Sequence, residues 1–394
     1  MVAARPPLPI RGGMDLRILQ HLSVLGRTGW DVHLFAVDPT SPIDGTGNAE
    51  VATCHLATDT SVVLVQGREQ AGRFEWIGTG TNPFAEAATP RNRRELADLL
   101  AQLQPDLVVV SGHQVSALLD TAVAHGRPVV LDLHDVLADL IAGQGRLRAG
   151  HRALDLVHRR AAETADRVER DLMDGADQVW TCSEADQARL QAGTDTPVAL
   201  VPNAVDLSRF PEPLPATHPR VVLTAGFGYL PNQQAALELA DAVAQVPGVH
   251  LDLVGTEGPE ALPSLLGRSD VTVTGWVPDV RPHLQRAWLT AMPIRAGSGT
   301  RLKVGEAAAA RLPILATAKA VEGTGMEPDV HYLRAEEPTE LVAGVRLLVE
   351  DAPRRARLAT AAHDLARRAL SWEAAGTAIT EALSSLDHPG TVPR

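Results

Sequence analysis

The stretch GSGTRLKVGEAAAARLP, residues 297–313, brings together residue types that hold a phosphorylated ligand. Gly297, Ser298, Gly299 and Thr300 come shortly after an apolar run, WLTAM (288–292), and lead into a helical pattern, RLKVGEAAAA. A glycine-rich loop ahead of a helix lets backbone N–H groups approach an anion where the helix dipole also favours negative charge. Arg301 and Lys303 add two cations at the start of that helix, where positive charge is mildly unfavourable and so calls for an anionic partner. The lysine is unusual here, because 34 of the 36 basic residues are arginine and only Lys303 and Lys319 are lysine. An ammonium on a flexible stem acts as a point charge on phosphate oxygens, whereas a guanidinium presents a planar fork. A second reading stays open: Lys303 and Glu306, three residues apart, also fit a surface ion pair worth about 0.2–0.5 kcal/mol.

Further polar residues stand at the ends of apolar runs. His113 closes VVVSGHQ, and His134 with Asp135 closes LDLHDV. At the carboxyl end of a buried strand these side chains either face a ligand or serve as structural hydrogen-bonders. His, Cys, Asp and Glu nowhere fall at metal-ligand spacing, so neither a metal nor another cofactor is expected.

To position such groups the chain needs a sheet whose strands end together. Short β-rich runs alternate with helical patterns, the sequence form of a parallel sheet covered on both faces. DVHLFAV (31–37), DLVVV (106–110), PVVLDL (128–133), QVWTC (178–182) and VALV (198–201) are the strands of a first unit. Ile18, Leu22 and Leu25 mark a helix before the first of these, and Leu96, Leu99, Leu100 and Leu103 mark another before DLVVV. The alternation restarts with VVLTA (221–225), VHLDLV (249–254), VTVT (271–274), WLTAM and PILA (313–316). Between the halves, VPNAVDLSRFPEPLPATHP (201–219) carries five prolines and breaks any periodicity. The expected architecture is α/β, with two Rossmann-like domains facing a central cleft. The run RLRAGHRALDLVHRRAAETADRVERD (146–171) alternates arginines with acids and reads as a solvated helix face.

Composition bounds the function. At 394 residues two domains are expected, and a net charge of −12 argues against a nucleic-acid binder. The two cysteines, Cys54 and Cys182, make no disulfide framework, and the longest apolar runs are far shorter than the ~20 residues that span a bilayer. The expectation is a cytoplasmic protein without a transmembrane segment, with small molecules or proteins as partners, of undetermined oligomeric state.

PIRAGSGTRLKVGEAAAARLPILAT resembles the donor-binding segment of GT-B glycosyltransferases, in the large retaining family 4. VPNAVDLSRF is similar to the family's interdomain connection, and GFGYLPNQQAALEL, with Gly226, to the first strand and helix of its C-terminal domain. VTVTGWVPDVRPHL, with Val277, resembles the strand and loop beside the nucleotide base. LPIRGGMDLRILQHLSVLGRTGWDVHL, with Gly12 and Gly13, resembles the N-terminal glycine loop, and SWEAAGTAI the closing helix that crosses back to the first domain. The resemblance implies an N-terminal acceptor-side domain over 1–202, a donor domain over 203–370, and a crossover helix and tail over 371–394.

It also implies a metal-independent, retaining transfer of a sugar from a nucleotide diphosphate to an acceptor hydroxyl, in natural-product or cell-surface glycan biosynthesis. Glu306 would accept hydrogen bonds from the ribose, Arg301 and Lys303 would meet the diphosphate, and His113 would line the catalytic cleft. Gly12, Gly13, Gly226, Val277, Gly297, Ser298, Gly299 and Thr300 would complete the donor site, with His134 and Asp135 on the acceptor side. The chain departs from the pattern in four places. GFGYLPN lacks the basic residue that many members carry after the first strand of the C-terminal domain, with none before Arg268, so Lys303 and Arg301 would supply that charge. Ser298 stands where the family has the first Glu of E-x7-E, which holds hydroxyls of the transferred sugar. Arg311 stands where a glycine commonly follows the helix. Only MVAA precedes RPPLPIRGG, so either residues of a full first strand are missing or the sheet has a stub there. The departure at 298 leaves room for other chemistry on the same fold, namely nucleotide-sugar epimerisation or C–N bond formation, and for a catalytically silent partner subunit.

Overall fold

The computed structural model describes residues 1–38, 53–56, 82, 84–147, 152–297 and 299–386. Its first sheet contains β1 (Val2–Ala3), β2 (His33–Ala36), β3 (Thr53–Leu56), β4 (Val108–Ser111), β5 (Val129–Asp132), β6 (Gln178–Thr181) and β7 (Val198–Leu200). The second contains β8 (Arg220–Thr224), β9 (His250–Val254), β10 (Val271–Val273), β11 (Leu289–Met292), β12 (Ile314–Ala316) and β13 (Leu333–Arg334). All pairings are parallel. The orders are β3-β2-β1-β4-β5-β6-β7 and β10-β9-β8-β11-β12-β13. Each sheet therefore reverses direction once, between β1 and β4 and between β8 and β11, and opens a crevice at the carboxyl ends of those strands.

The strands are nearly continuous apolar runs because helices cover both faces. β4, β5, β6 and β11 are buried at every residue. Here β1 is two residues long and lies between β2 and β4, with Val2 opposite Phe35 on one side and Val110 on the other.

The helices form where the periodicity places them. The helix Gly13–Arg27 buries Ile18, Leu22 and Leu25. The helix Pro90–Leu103 starts on Thr89, whose hydroxyl accepts from the Asn92 amide at 3.1 Å, with proline in its first turn. The helix Arg152–Asp174 carries the solvated face read from that segment and adds a buried face opposite it. Arg159, Arg160 and Arg170 do lie outside, but Thr164 and Glu169 are 2% and 1% exposed among Ala161, Ala165 and Met173.

The two sheets are joined where the chain crosses twice. Val205 donates to Leu370 O at 2.9 Å and Trp372 donates back to Val205 O at 3.2 Å, so the outgoing and returning segments run side by side. The helix Trp372–Ser384, capped by the Ser371 hydroxyl, then packs on the first domain. Trp372, Ala375, Ile379 and Leu383 share a buried cluster with Leu19, Val24, Leu25 and Trp180. Among the described residues no helix is long and apolar enough to cross a membrane.

Candidate functional site

Between the sheets, at the carboxyl ends of their strands, lies a cavity of about 720 Å3. From the first domain it is walled by Gly12 and Gly13 after β1, His113 after β4, and His134 and Asp135 after β5. From the second it is walled by Gly226 after β8, Val277 after β10, and Thr300, Arg301, Lys303 and Glu306 after β11. Residues spread over almost 300 positions thus meet in one space.

On the second-domain wall, the helix Leu302–Ala309 begins at Arg301, whose backbone is extended. Lys303 Nζ lies 3.0 Å from Asn232 Oδ1, and the Asn232 amide nitrogen donates to Gly226 O at 2.9 Å. Its hydrogen-bond partner is therefore Asn232 rather than Glu306, and the ammonium sits on the cavity wall, which sets aside the surface-pair reading. Burial lowers the Lys303 pKa to about 7; Arg301 adds to the shift and Glu306 opposes it. Burial likewise raises Glu306 to about 7, against Lys303 and with Asp279. Both groups thus sit at the edge of ionisation and respond to charge placed in the cavity. Burial also lowers the Arg301 pKa, and its guanidinium folds back to its own loop, 3.3 Å from Gly299 O and 3.4 Å from Ala296 O.

The glycine loop does not cradle the cavity as the sequence leads one to expect. Thr300 and Arg301 reach the wall, but Gly297 and Gly299 are not part of it. The Gly299 amide donates to the Asp186 carboxylate, and the Thr300 amide to Cys182 Sγ at 3.3 Å, both in the first domain. The Thr300 carbonyl accepts from Asn203 at 3.0 Å. Gly299 has φ +68°, and a Cβ there would stand 2.9 Å from both Asp135 Oδ1 and His134 O. The glycine thus allows the loop to dock on the opposite domain, which consumes the N–H groups an anion would need. Ser298 lies outside the described residues.

Gly12 is the N-cap of the helix Gly13–Arg27, and a Cβ on Gly13 would touch Leu302 Cδ1 at 3.5 Å. Gly13 therefore faces the start of the Lys303 helix across the cleft. At the mouth, Trp276, 46% exposed, donates from Nε1 to Ile10 O at 3.1 Å and joins the two domains.

On the first-domain wall each histidine is held from behind. His113 Nε2 lies 2.9 Å from Glu169 Oε1, and Glu169 also accepts from the amides of Leu137 and Ala138 at the start of the next helix. His134 Nε2 lies 2.9 Å from Ser111 Oγ and 3.2 Å from Asp132 Oδ2. Asp132 is fully buried and ion-paired to Arg17 at 2.6 Å, with His21 3.3 Å away. Burial alone would raise the Asp132 carboxyl; Arg17, with His21 and His134, outweighs it and holds the group well below the usual carboxylate range.

Sequence reading missed Arg17, Asp132, Ser111, Glu169, Asn203 and Asn232. For Asp132 a signal existed: it is a carboxylate closing the apolar strand β5, two residues before His134. Arg311 resolves another departure, since it adopts the left-handed conformation itself, φ 55°, just past the helix end.

A family model described as Glycosyltransferase Family 4 matches residues 11–209, and one described as Glycosyl transferases group 1 matches residues 218–351. No curated protein matches the sequence at a significant level. Among solved structures, the sucrose-phosphate synthase of Thermosynechococcus elongatus superposes with a TM-score of 0.74 at 18% identity, covering 98% of each chain. The HepE protein of Anabaena, in complex with UDP and glucose, superposes at 0.68 and 18% identity, again over 98% of both chains. TarM of S. aureus, in a complex that includes UDP, gives 0.59 at 13% identity over 74% of this chain and 59% of its own.

Proposed function

Because this chain belongs to glycosyltransferase family 4, we propose that its cleft transfers a sugar from a nucleotide diphosphate, with uridine the first base to test, to the hydroxyl of a small-molecule or glycan acceptor. The observation that carries this reading is Lys303, seated on the cavity wall beside Arg301 and opposite Gly12 and Gly13. A diphosphate placed between these walls would return the ammonium to its charged form and offset its own charge on Lys303 and Arg301. The two protein cations then do the work for which other transferases use a metal ion. Glu306, at the edge of ionisation, suits a ribose diol, because a carboxylate accepts two hydrogen bonds from vicinal hydroxyls. Val277 lies beside the base, and Gly226 fixes Asn232 under Lys303.

His113, His134 and Asp135 face the acceptor side of the cavity. The transfer is proposed to proceed with retention. The bond from the anomeric carbon to the β-phosphate oxygen breaks and the acceptor oxygen bonds to that carbon on the same face. The hydroxyl proton leaves with the phosphate, so no protein nucleophile of the glycosidase kind is needed. The Trp276 to Ile10 hydrogen bond ties the two domains together beside the cavity, an arrangement that would limit loss of the donor to water. A cytoplasmic location agrees with Cys54 and Cys182 both being free thiols.

The test is thermal denaturation with a panel of UDP, GDP, ADP and dTDP and their sugars. A ligand at ~100 times its Kd adds ~2.7 kcal/mol of stability. One nucleoside diphosphate should raise Tm accordingly, and a flat response to the whole panel would exclude the donor assignment.

A further inference from the structure

The buried pair Arg17 and Asp132 does more than fill the interior of the first domain. Arg17 Nε and Nη2 bond Asp132 at 3.0 and 2.6 Å, while Nη1 reaches Val201 O at 3.0 Å and Asn203 Oδ1 at 2.9 Å in the interdomain connection. The amide nitrogen of Asn203 is thereby turned to Thr300 O, at 3.0 Å, in the loop that leads to Arg301 and Lys303. On its other side Asp132 Oδ2 accepts from Ser111 Oγ at 2.8 Å. That hydroxyl has a single hydrogen, so toward His134 Nε2, 2.9 Å away, it can only accept. An ionised carboxylate, 3.2 Å from the same nitrogen, also only accepts. The ring hydrogen must therefore sit on Nε2. Nδ1 is left with the lone pair, no hydrogen bond to it occurs among the described residues, and His134 lines the cavity.

We propose that Arg17 and Asp132 are positioning residues acting on both walls of the cleft: they fix His134 as a hydrogen-bond acceptor at Nδ1 for a hydroxyl of the acceptor substrate, and through Asn203 they anchor the donor-side loop. This rests on the donor and acceptor assignments proposed above. It explains why a full buried ion pair, of which stability alone gives little account, lies at the junction of β5, the first helix and the interdomain connection.

The test uses the full chain and two readouts. In 15N-histidine spectra, with His134→Gln identifying the resonances, wild-type His134 should show a protonated Nε2 and a bare Nδ1. In Asp132→Asn the side-chain amide can donate to Nε2, so the hydrogen should move to Nδ1; in Arg17→Lys and Asn203→Ala the wild-type pattern should persist. Calorimetric titration with UDP should show affinity about tenfold weaker in Arg17→Lys and Asn203→Ala, the loss expected for a hydrogen bond to a charged or loop-anchoring group. A merely structural pair would lower Tm and move neither readout. A wild-type His134 protonated on Nδ1, or UDP affinity unchanged in both Arg17→Lys and Asn203→Ala, overturns the proposal. If Asp132→Asn does not fold, the wild-type spectrum and Asn203→Ala carry the decision. If wild-type protein binds none of UDP, GDP, ADP and dTDP, the donor assignment fails, while the tautomer result still decides this one.

Discussion

Binding of UDP should draw a proton from solution, and the amount follows from the cavity wall. In the empty cleft burial holds the Lys303 pKa at about 7, so at about pH 8 roughly one-tenth of the molecules carry the ammonium. A diphosphate against Nζ restores the pKa toward that of an ordinary lysine, and the group becomes almost fully charged. Glu306, also near 7, is by then roughly nine-tenths ionised and can release no more than about 0.1 proton. The net uptake at about pH 8 is therefore roughly 0.8 proton per UDP, and affinity should fall about sixfold between about pH 7.5 and 8.5. Calorimetric titrations in two buffers of different ionisation enthalpy measure the uptake directly. Lys303→Met should abolish it and leave UDP affinity nearly independent of pH over that interval. Zero uptake in the wild type, or the same uptake in Lys303→Met, would show that the ammonium does not meet the phosphates and that the assignment is wrong.

Other outcomes follow from the same wall. Without ligand, the unfolded chain binds more protons at Lys303 between about pH 7 and its ordinary 10.5, so this group makes stability rise with pH there; denaturant midpoints in Lys303→Met should rise less steeply. Turnover of the active UDP-sugar should drop roughly 10²–10³-fold in Lys303→Ala. Lys319 forms only a half-exposed pair with Glu322, so Lys319→Ala should keep wild-type turnover and change stability by less than about 0.5 kcal/mol. Gly299→Ala forces a side chain into φ +68° against Asp135 and His134; it should cost about 1 kcal/mol or more in denaturant titration and weaken UDP binding by loosening the docked loop. A Gly299→Ala protein with wild-type midpoint and affinity would mean the loop does not need to dock.

The two sheets were legible because they rest on local regularities: apolar runs of strand length, helical spacing of Leu and Ile, and a proline-rich break between the halves. The crossover helix was read only from the family resemblance of SWEAAGTAI. The motif around Lys303 was legible by composition, since one lysine in an arginine-rich chain stands out. What stayed hidden depends on contacts between distant segments. The Arg17 to Asp132 pair spans 115 positions, and nothing near either residue announces the other. Glu169 was lost in an arginine-rich run because only the helical phase decides which of many carboxylates turns inward. The fate of the Gly299 and Thr300 amides was illegible for a stronger reason. Their partners, Asp186 and Cys182, belong to the other domain, and a loop read on its own shows N–H groups free for a ligand when docking has already used them.

The double crossing at Val205 and Leu370 to Trp372 also sets an order for events during synthesis. The second domain takes its largest core from residues 221–370, an unbroken stretch that is complete once it has left the ribosome. The first domain cannot finish so early. Its Trp180 and the outer face of its first helix, Leu19, Val24 and Leu25, remain uncovered until Trp372, Ala375, Ile379 and Leu383 arrive at the very end of the chain. The half translated first is therefore completed last, and for most of translation it displays an apolar strip. A premature stop after about residue 370 would leave a complete second domain tethered to a first domain with that strip uncovered, so such a truncation should appear first as aggregation.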